Sequence, residues 1–268
     1  MTIPQVRRAI RITVLLLLWT HAVAAQELKV MISGAFSAPY LEVVPAFERA
    51  TKYRVVTVSG ASLGGAPDSI PVRLERGEPA DVLIMAASAL DDLIRQGKAV
   101  SGSRVDLVKS SIGMAVRAGA RRPDISTVDA LKRTLLDAKS VAYSASASGA
   151  YISTELFQRL GIADEMRSKS RRIESERVGA VIARGDAEIG FQQISELLPI
   201  EAITYVGPLP AEVQRVTVFS AGIAASSKQR EAARGLIAFL ASPAVTAAVV
   251  KSGLEPVATS PDGLQSQR

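Results

Sequence analysis

Beyond its first 25 residues the chain alternates short apolar β-like runs with helical patterns, and the runs repeatedly end in polar loops that open helices. That rhythm is the signature of a parallel sheet flanked by helices. Leu28–Ile32 reads as a first strand, followed by Ser33-Gly34-Ala35-Phe36-Ser37 and a helix to about Thr51. Tyr53–Val58 reads as a second strand and runs into the loop Ser59–Gly65. A short helix over Pro71–Arg76 tolerates Pro71 in its first turn, where no N–H is needed. Val82–Ala86 is apolar throughout, the pattern of a strand buried on both faces. The next helix, Ala89–Gln96, stops at Gly97.

The rhythm then changes. Val105–Val116 is β-like over a length well beyond the ordinary strand of about 5–6 residues. A second unit follows: helix Thr127–Asp137, strand Ser140–Tyr143, a Ser/Gly loop, and helix Ala150–Leu160 stopped by Gly161. Helix Arg177–Arg184 and strands Ile189–Phe191 and Ile203–Val206 come next. Another long β-like stretch, Val213–Ala224, leads to terminal helices over Gln229–Leu240 and Ala244–Ser252. Two long strands bracketing a middle block predict a chain that crosses into a second lobe and returns. The expected division is 26–108 and 221–258 for the first lobe, 109–220 for the second, and 259–268 as a flexible tail. A two-lobed α/β chain places its ligand in the cleft, at the carboxyl ends of the strands.

Residues 1–25 have the features of a cleaved export signal. Arg7, Arg8 and Arg11 form a basic head, Ile12–Trp19 an apolar run, and Ala22–Ala25 a small-residue close, with cleavage after Ala24 or Ala25. The apolar run is far short of the roughly 20 residues that cross a bilayer. Export permits disulfides, yet the chain has no cysteine, so neither a disulfide nor a lipid-modified cysteine is available. Stability must come from a core, and 48% apolar residues supply one. No later apolar run is long enough to span a membrane. The expected product is a periplasmic monomer that is not membrane-embedded.

His21, the one histidine, lies inside that signal, so a mature chain lacks the thiol and imidazole of common nucleophilic, metal and near-neutral acid–base sites. No P-loop or dinucleotide glycine pattern occurs, and no metal or cofactor is expected. The formal charge of +6 falls to +3 without Arg7, Arg8 and Arg11. Basic pairs such as Arg121-Arg122 are isolated and aromatics are only 4%, which argues against nucleic acid as a partner. A mild positive balance suits a small anion.

Three loops have the chemistry to hold one: Ser33–Ser37, Ser59–Gly65 and Ser144–Gly149. Helix N-termini offer free N–H groups and a positive dipole end, serine adds donors, and glycine admits close approach. Serine and glycine also cap helices and make turns, so the expectation rests on three such loops sharing one architecture. The candidates are Ser33, Ser37, Ser59, Ser62, Ser146 and Ser148. Gln192-Gln193 directly follows an apolar strand, where paired amides need partners, and Gln193 is the expected ligand residue. Arg73 and Arg177, each near a helix start, are the cationic candidates for a two-pronged grip on a carboxylate. No catalytic base is singled out; Glu, Asp, Lys and Tyr remain open.

In this order the loops resemble the periplasmic molybdate-binding-protein family of solute-binding proteins that feed ABC transporters. Gly77-Glu78-Pro79-Ala80-Asp81-Val82 is similar to the family's segment before the third strand, and Ser148-Gly149-Ala150-Tyr151 to its second-lobe helix start. Phe239–Pro243 and Gly253-Leu254 match its closing helices. The resemblance implies a type II periplasmic-binding-protein fold, each lobe a mostly parallel sheet flanked by helices, with an ABC permease as partner. Where that family holds its oxyanion with a first-loop serine and a second-lobe tyrosine, this chain has Ala35 and Gln193. The second loop is also longer, through Ser69. These departures favour a larger anion, a di- or tricarboxylate, over molybdate or tungstate held in an altered cage. Ile70–Leu74, Tyr143–Ile152 and Gly190–Leu197 resemble the branch containing bacterial aconitate isomerase, which implies interconversion of cis- and trans-aconitate as the alternative. Ala145 departs from the acidic residue expected in that branch.

Overall fold

The computed structural model describes residues 26–257. The expected signal, residues 1–25, and the expected tail, 259–268, lie outside the described residues.

In chain order, β1 (Glu27–Ile32), β2 (Arg54–Ser59), β3 (Val82–Ala86) and β4 (Val105–Ser110) build one sheet. The chain then passes to a second sheet made of β5 (Ile112–Arg117), β6 (Val141–Ser144), β7 (Ser170–Ile173), β8 (Ile189–Gln193) and β9 (Ile203–Pro208). It returns to the first with β10 (Thr217–Ile223) and the short edge strand β11 (Glu255–Pro256). Leaving β11 aside, the sheets read β2-β1-β3-β10-β4 and β7-β6-β8-β5-β9, the same plan twice. In each, three parallel strands are followed by one antiparallel strand, and that strand is the one by which the chain has just entered: β10 against β3 and β4, β5 against β8 and β9. The result is the expected two-lobed α/β architecture with mixed sheets.

Both long β-like stretches resolve into a crossing and a strand. Val105–Val116 breaks at Ser111, because β4 pairs with β10 through Ser110 while Ile112 already pairs with Gln193 of β8. Within 213–224, Val213 ends a short 3-10 turn and the strand begins at Thr217. The passages between sheets therefore fall at Ser111 and within 209–216, which corrects the expected 108/109 and 220/221 boundaries by a few residues. The two passages are tied to each other. Gln214 Oε1 accepts from the Ile112 amide and Gln214 Nε2 donates to the Ile112 carbonyl, both at 2.9 Å, and Leu209 N–H donates to the same carbonyl at 3.1 Å.

Each lobe has its own core. In the first, Leu28, Val30 and Ile32 of β1 and all of β3 lie buried with Phe36, Tyr40, Leu90 and Leu236 from the covering helices. In the second, Ile112, Met114, Leu131, Leu135, Leu156 and Phe191 meet. No single helix among the described residues is long and apolar enough to cross a membrane.

Asp81 has a structural task inside the Gly77–Val82 segment. Its carboxyl accepts from the Lys29 amide (2.8 Å) and from Ser227 Oγ (2.7 Å), while its own N–H donates to the Lys29 carbonyl (2.8 Å). It thereby fastens β1, the approach to β3 and the segment after β10. Asp81→Ala should lower the free energy of unfolding by about 2–4 kcal/mol, since two buried donors lose a carboxyl acceptor. Urea denaturation checks this, and a change below 1 kcal/mol would contradict the assigned role.

Candidate functional site

The parallel strands of both lobes point their carboxyl ends at one another, and a cavity of about 200 Å³ lies between them. The first lobe contributes Ser33–Ala35 and Ser37 after β1 and Ser59–Ala61 after β2. The second contributes Ser144–Ser148 after β6, Ile173–Arg177 after β7, and Gln192, Gln193 and Glu196 around the end of β8. Local geometry sets each loop. Ser33 is pinned by its N–H donating to the Ile84 carbonyl of β3 (2.8 Å) just as the chain turns into the helical segment Gly34–Thr51. Ser146 leads into the helix Ala147–Tyr151 without capping it by its side chain, leaving the hydroxyl and the first amides of that helix uncommitted. That helix starts three residues earlier than the sequence predicts. It passes through a π-helical turn over Ile152–Leu156 before ending at Arg159, an irregularity that often accompanies functional sites.

Two of the four buried side-chain polar atoms without a partner among the described residues line this cavity: Ser33 Oγ from the first lobe and Gln193 Oε1 from the second. Buried polar atoms are ordinarily paired, so both fit a ligand that reaches across the cleft. Gln193 Nε2 makes one long bond, 3.4 Å to Thr217 Oγ1. Turned end for end, the amide would donate into the cavity and accept from Thr217 instead.

Seven of the nine candidate side chains come together here. Ser37 donates to the Ser33 carbonyl (3.2 Å), Ser148 and Ser144 share a hydroxyl bond (3.0 Å), and Ser59 and Ser146 line the wall. Arg177 stands at the entry to the helix Val178–Arg184, exposed and without an ion pair among the described residues. The other two are corrections. Ser62 is fully buried, and its hydroxyl accepts from the Ala86 amide at the end of β3 (2.9 Å). Arg73 does not line the cavity. It pairs with Glu78 at 2.9 and 3.0 Å and donates to the Asp68 carbonyl (3.0 Å), bracing the second loop from behind.

Both adjacent amides, Gln192 as well as the expected Gln193, line the cavity and both are buried. Gln192 is fully engaged, accepting from the Val178 amide (3.0 Å) and donating from Nε2 to Glu196 Oε1 (2.8 Å). Glu196 was not among the expected site residues. It opens part-way to the cavity and is otherwise enclosed by both lobes; a Cβ on Gly34 would fall only 2.8 Å from its carboxyl carbon. That enclosure pushes the carboxyl up to about 7, against the pull of the Arg177 charge and the Gln192 amide. Gln192 lies on β8 and Glu196 in the helical turn that follows it, so the bond between them is made across a strand-to-helix junction that carries no helical spacing signal.

The lobes also meet on either side of the cavity. Ser195 Oγ donates to the Ala35 carbonyl (2.7 Å), and Ser175 Oγ donates to Asp68 Oδ1 (3.1 Å). Gly64 of the long second loop lies against the Ala145 carbonyl, which lies 3.3 Å from where a Cβ would stand.

Residues 28–255 match the family described as "Bacterial extracellular solute-binding protein". The chain is 47% identical over 250 residues to the aconitate isomerase of a Pseudomonas species, covering 92% of this chain and 95% of that protein. It is 25% identical over 239 residues to the molybdate-binding protein of Azotobacter vinelandii, covering 87% and 91%. The solved structure of the periplasmic molybdate-binding protein from that organism superimposes with a TM-score of 0.67 at 22% identity, covering 87% of this chain and all of the other. The sulfate-binding protein of Mycobacterium tuberculosis H37Rv gives 0.65 at 16% identity, with 87% of each chain covered. Both superpositions concern the fold.

Proposed function

Because the chain belongs to the bacterial extracellular solute-binding protein family, we propose that it holds aconitate between its lobes and interconverts the cis and trans forms by moving a proton. The observation that carries this reading is the pair of unsatisfied buried atoms, Ser33 Oγ and Gln193 Oε1, on opposite walls of one cavity. A tricarboxylate has enough acceptors to engage both walls at once, taking a bond from the Ser33 hydroxyl and one from Gln193 Nε2 when that amide is turned to face the cavity. Arg177 would grip one carboxylate through its two-pronged guanidinium. The helix starts at Gly34 and Ala147 would take the others with backbone N–H groups. Two of the acidic residues at the rim are offset by arginines, Glu176 paired with Arg184 (2.9 Å) and Glu174 with Arg172 (2.7 Å). The 47% identity to an aconitate isomerase over nearly the whole chain supports the same ligand class.

Ultraviolet absorbance of trans-aconitate incubated with purified protein tests the reaction, and calorimetry against both aconitates, citrate, sulfate and molybdate tests the ligand. Aconitate binding with turnover is expected. Binding without turnover would leave a receptor working with a permease, and tight molybdate binding without aconitate binding would overturn the ligand class. Arg177→Ala should weaken aconitate binding about 10- to 100-fold, the loss of one charge-assisted bidentate grip. Unchanged affinity in calorimetry would place Arg177 outside the ligand.

A further inference from the structure

Isomerising aconitate requires a group that accepts and returns a proton, and neither histidine nor cysteine occurs within residues 26–257. The carboxyls lining the cavity are Asp68, Glu174, Glu176 and Glu196. Three of them are held by partners other than the Gln192 amide: Asp68 accepts from Ser175, Glu174 pairs with Arg172, and Glu176 pairs with Arg184. Glu196 differs. Its Oε1 accepts from Gln192 Nε2 (2.8 Å), and its Oε2 has no protein donor among the described residues. It rises from the first turn after β8 and faces the bare backbone of Gly34 across the lobe boundary. Ser195, its neighbour in that turn, anchors the turn to the Ala35 carbonyl (2.7 Å), so the position of Glu196 is set by both lobes together.

We infer that Glu196 is the catalytic base, taking a proton from the methylene carbon of aconitate and returning it to the far carbon of the same three-carbon unit. The inference rests on the isomerase reading above. As the methylene C–H bond breaks, an O–H bond forms on Glu196. The electron pair spreads over the three carbons and into the flanking carboxylates, where the Arg177 charge stabilises it. The proton then moves to the opposite terminal carbon, and the double bond closes between the former methylene carbon and the central carbon. The product is again aconitate, so no oxidant, reductant or second substrate is required. How the carboxylate on the former methylene carbon is held when the double bond closes decides whether cis or trans emerges. The carboxyl that the branch resemblance placed at Ala145, after β6, is supplied here from the turn after β8, the neighbouring strand.

Arg177 is the charged group facing Glu196 from its own lobe, Gln192 is the neutral partner on β8, and the first lobe presents only the uncharged Gly34 backbone. With enclosure holding the carboxyl at about 7, kcat/KM should fall tenfold per pH unit below that point, where the base is protonated.

The test uses the full mature chain with trans-aconitate, comparing parent and Glu196→Gln. Turnover is followed by absorbance, affinity by calorimetry, and deuterium incorporation at the substrate methylene by NMR. Glu196→Gln is expected to bind aconitate within about threefold of the parent or more tightly, to lose at least 100-fold in turnover, and to stop deuterium exchange. Turnover within tenfold of the parent would overturn the assignment while leaving the isomerase reading intact. A parent that binds but never turns over would overturn both, and that outcome is visible without the variant. Should Glu196→Gln fail to fold by circular dichroism, the parent profile decides: kcat/KM that stays flat down to pH 5 overturns the role.

Discussion

Gly149→Ala should lower the melting temperature by roughly 6–12 °C and abolish anion binding in the protein that still folds. Gly149 sits in the first turn of the helix after β6. A Cβ there would land on the Ser144 carbonyl, with the carbonyl carbon 2.6 Å and the Ser144 nitrogen 3.0 Å away. The obstructing atoms are backbone, fixed because Ser144 ends a strand paired with β7, so no rotamer change relieves the overlap. Either the helix start or the strand end must move. Overpacking of this kind costs about 3 kcal/mol, which for a chain of this size corresponds to the stated shift. The anion site suffers beyond stability, because Ser146 and Ser148 stand on the displaced turn and Ala147 leads the helix. Scanning calorimetry and an aconitate titration of the variant check both parts. A melting temperature within 2 °C of the parent would mean that the turn relaxes freely.

The second large effect concerns pH. A carboxyl held at about 7 when folded and near 4.5 when unfolded binds more protons in the native state between those values. Stability therefore falls as pH rises through that window, the reverse of an ordinary ion-paired carboxylate. A carboxyl raised from 4.5 to about 7 is worth at most about 3–4 kcal/mol, reduced because the cavity side of Glu196 meets solvent. Glu196→Gln cannot ionise and escapes the penalty. It should match the parent closely at pH 4.5 and exceed it by about 1–3 kcal/mol at pH 8, a few degrees or more in melting temperature. Melting curves of both proteins across that range measure the gap, and a gap that stays constant with pH contradicts the enclosure of Glu196. The variant that removes the proposed base is thus expected to be the more stable protein at neutral pH, the usual relation between a strained site and its fold.

Much of the fold is legible in the sequence because strand-to-helix junctions have local chemistry. Ser33–Ser37 and Ser144–Gly149 announce themselves by serine and glycine between an apolar run and a helical pattern. The structure places both on the cavity because parallel strands in the two lobes point the same ends inward. Sequence reasoning fails where one residue type serves two tasks. Ser62 looks like a ligand hydroxyl, but it accepts from Ala86, 24 residues away. Arg73 looks like a free cation, but its partner Glu78 is five residues on, in a segment read only for its family likeness. Glu196 was hidden for another reason. Its enclosure comes in part from Gly34, 162 residues earlier in the chain, and no local window contains both. The break at Ser111 was also invisible, since apolar residues continue on either side and only the choice of pairing partner separates β4 from β5.

The clasp of Gln214 on the N–H and the C=O of Ile112 has a mechanical meaning. Two chain passages link the lobes, and were they independent, one lobe could slide, twist or tilt against the other. With both passages stitched together by hydrogen bonds at 2.9 Å, sliding and twisting would tear the stitch. Rotation about the line through Ser111 and Gln214 leaves it whole. A joint tied in this way would turn like a door on one pin. A ligand bridging Ser33 and Gln193 needs to set only one angle to bring every wall of its chamber into register.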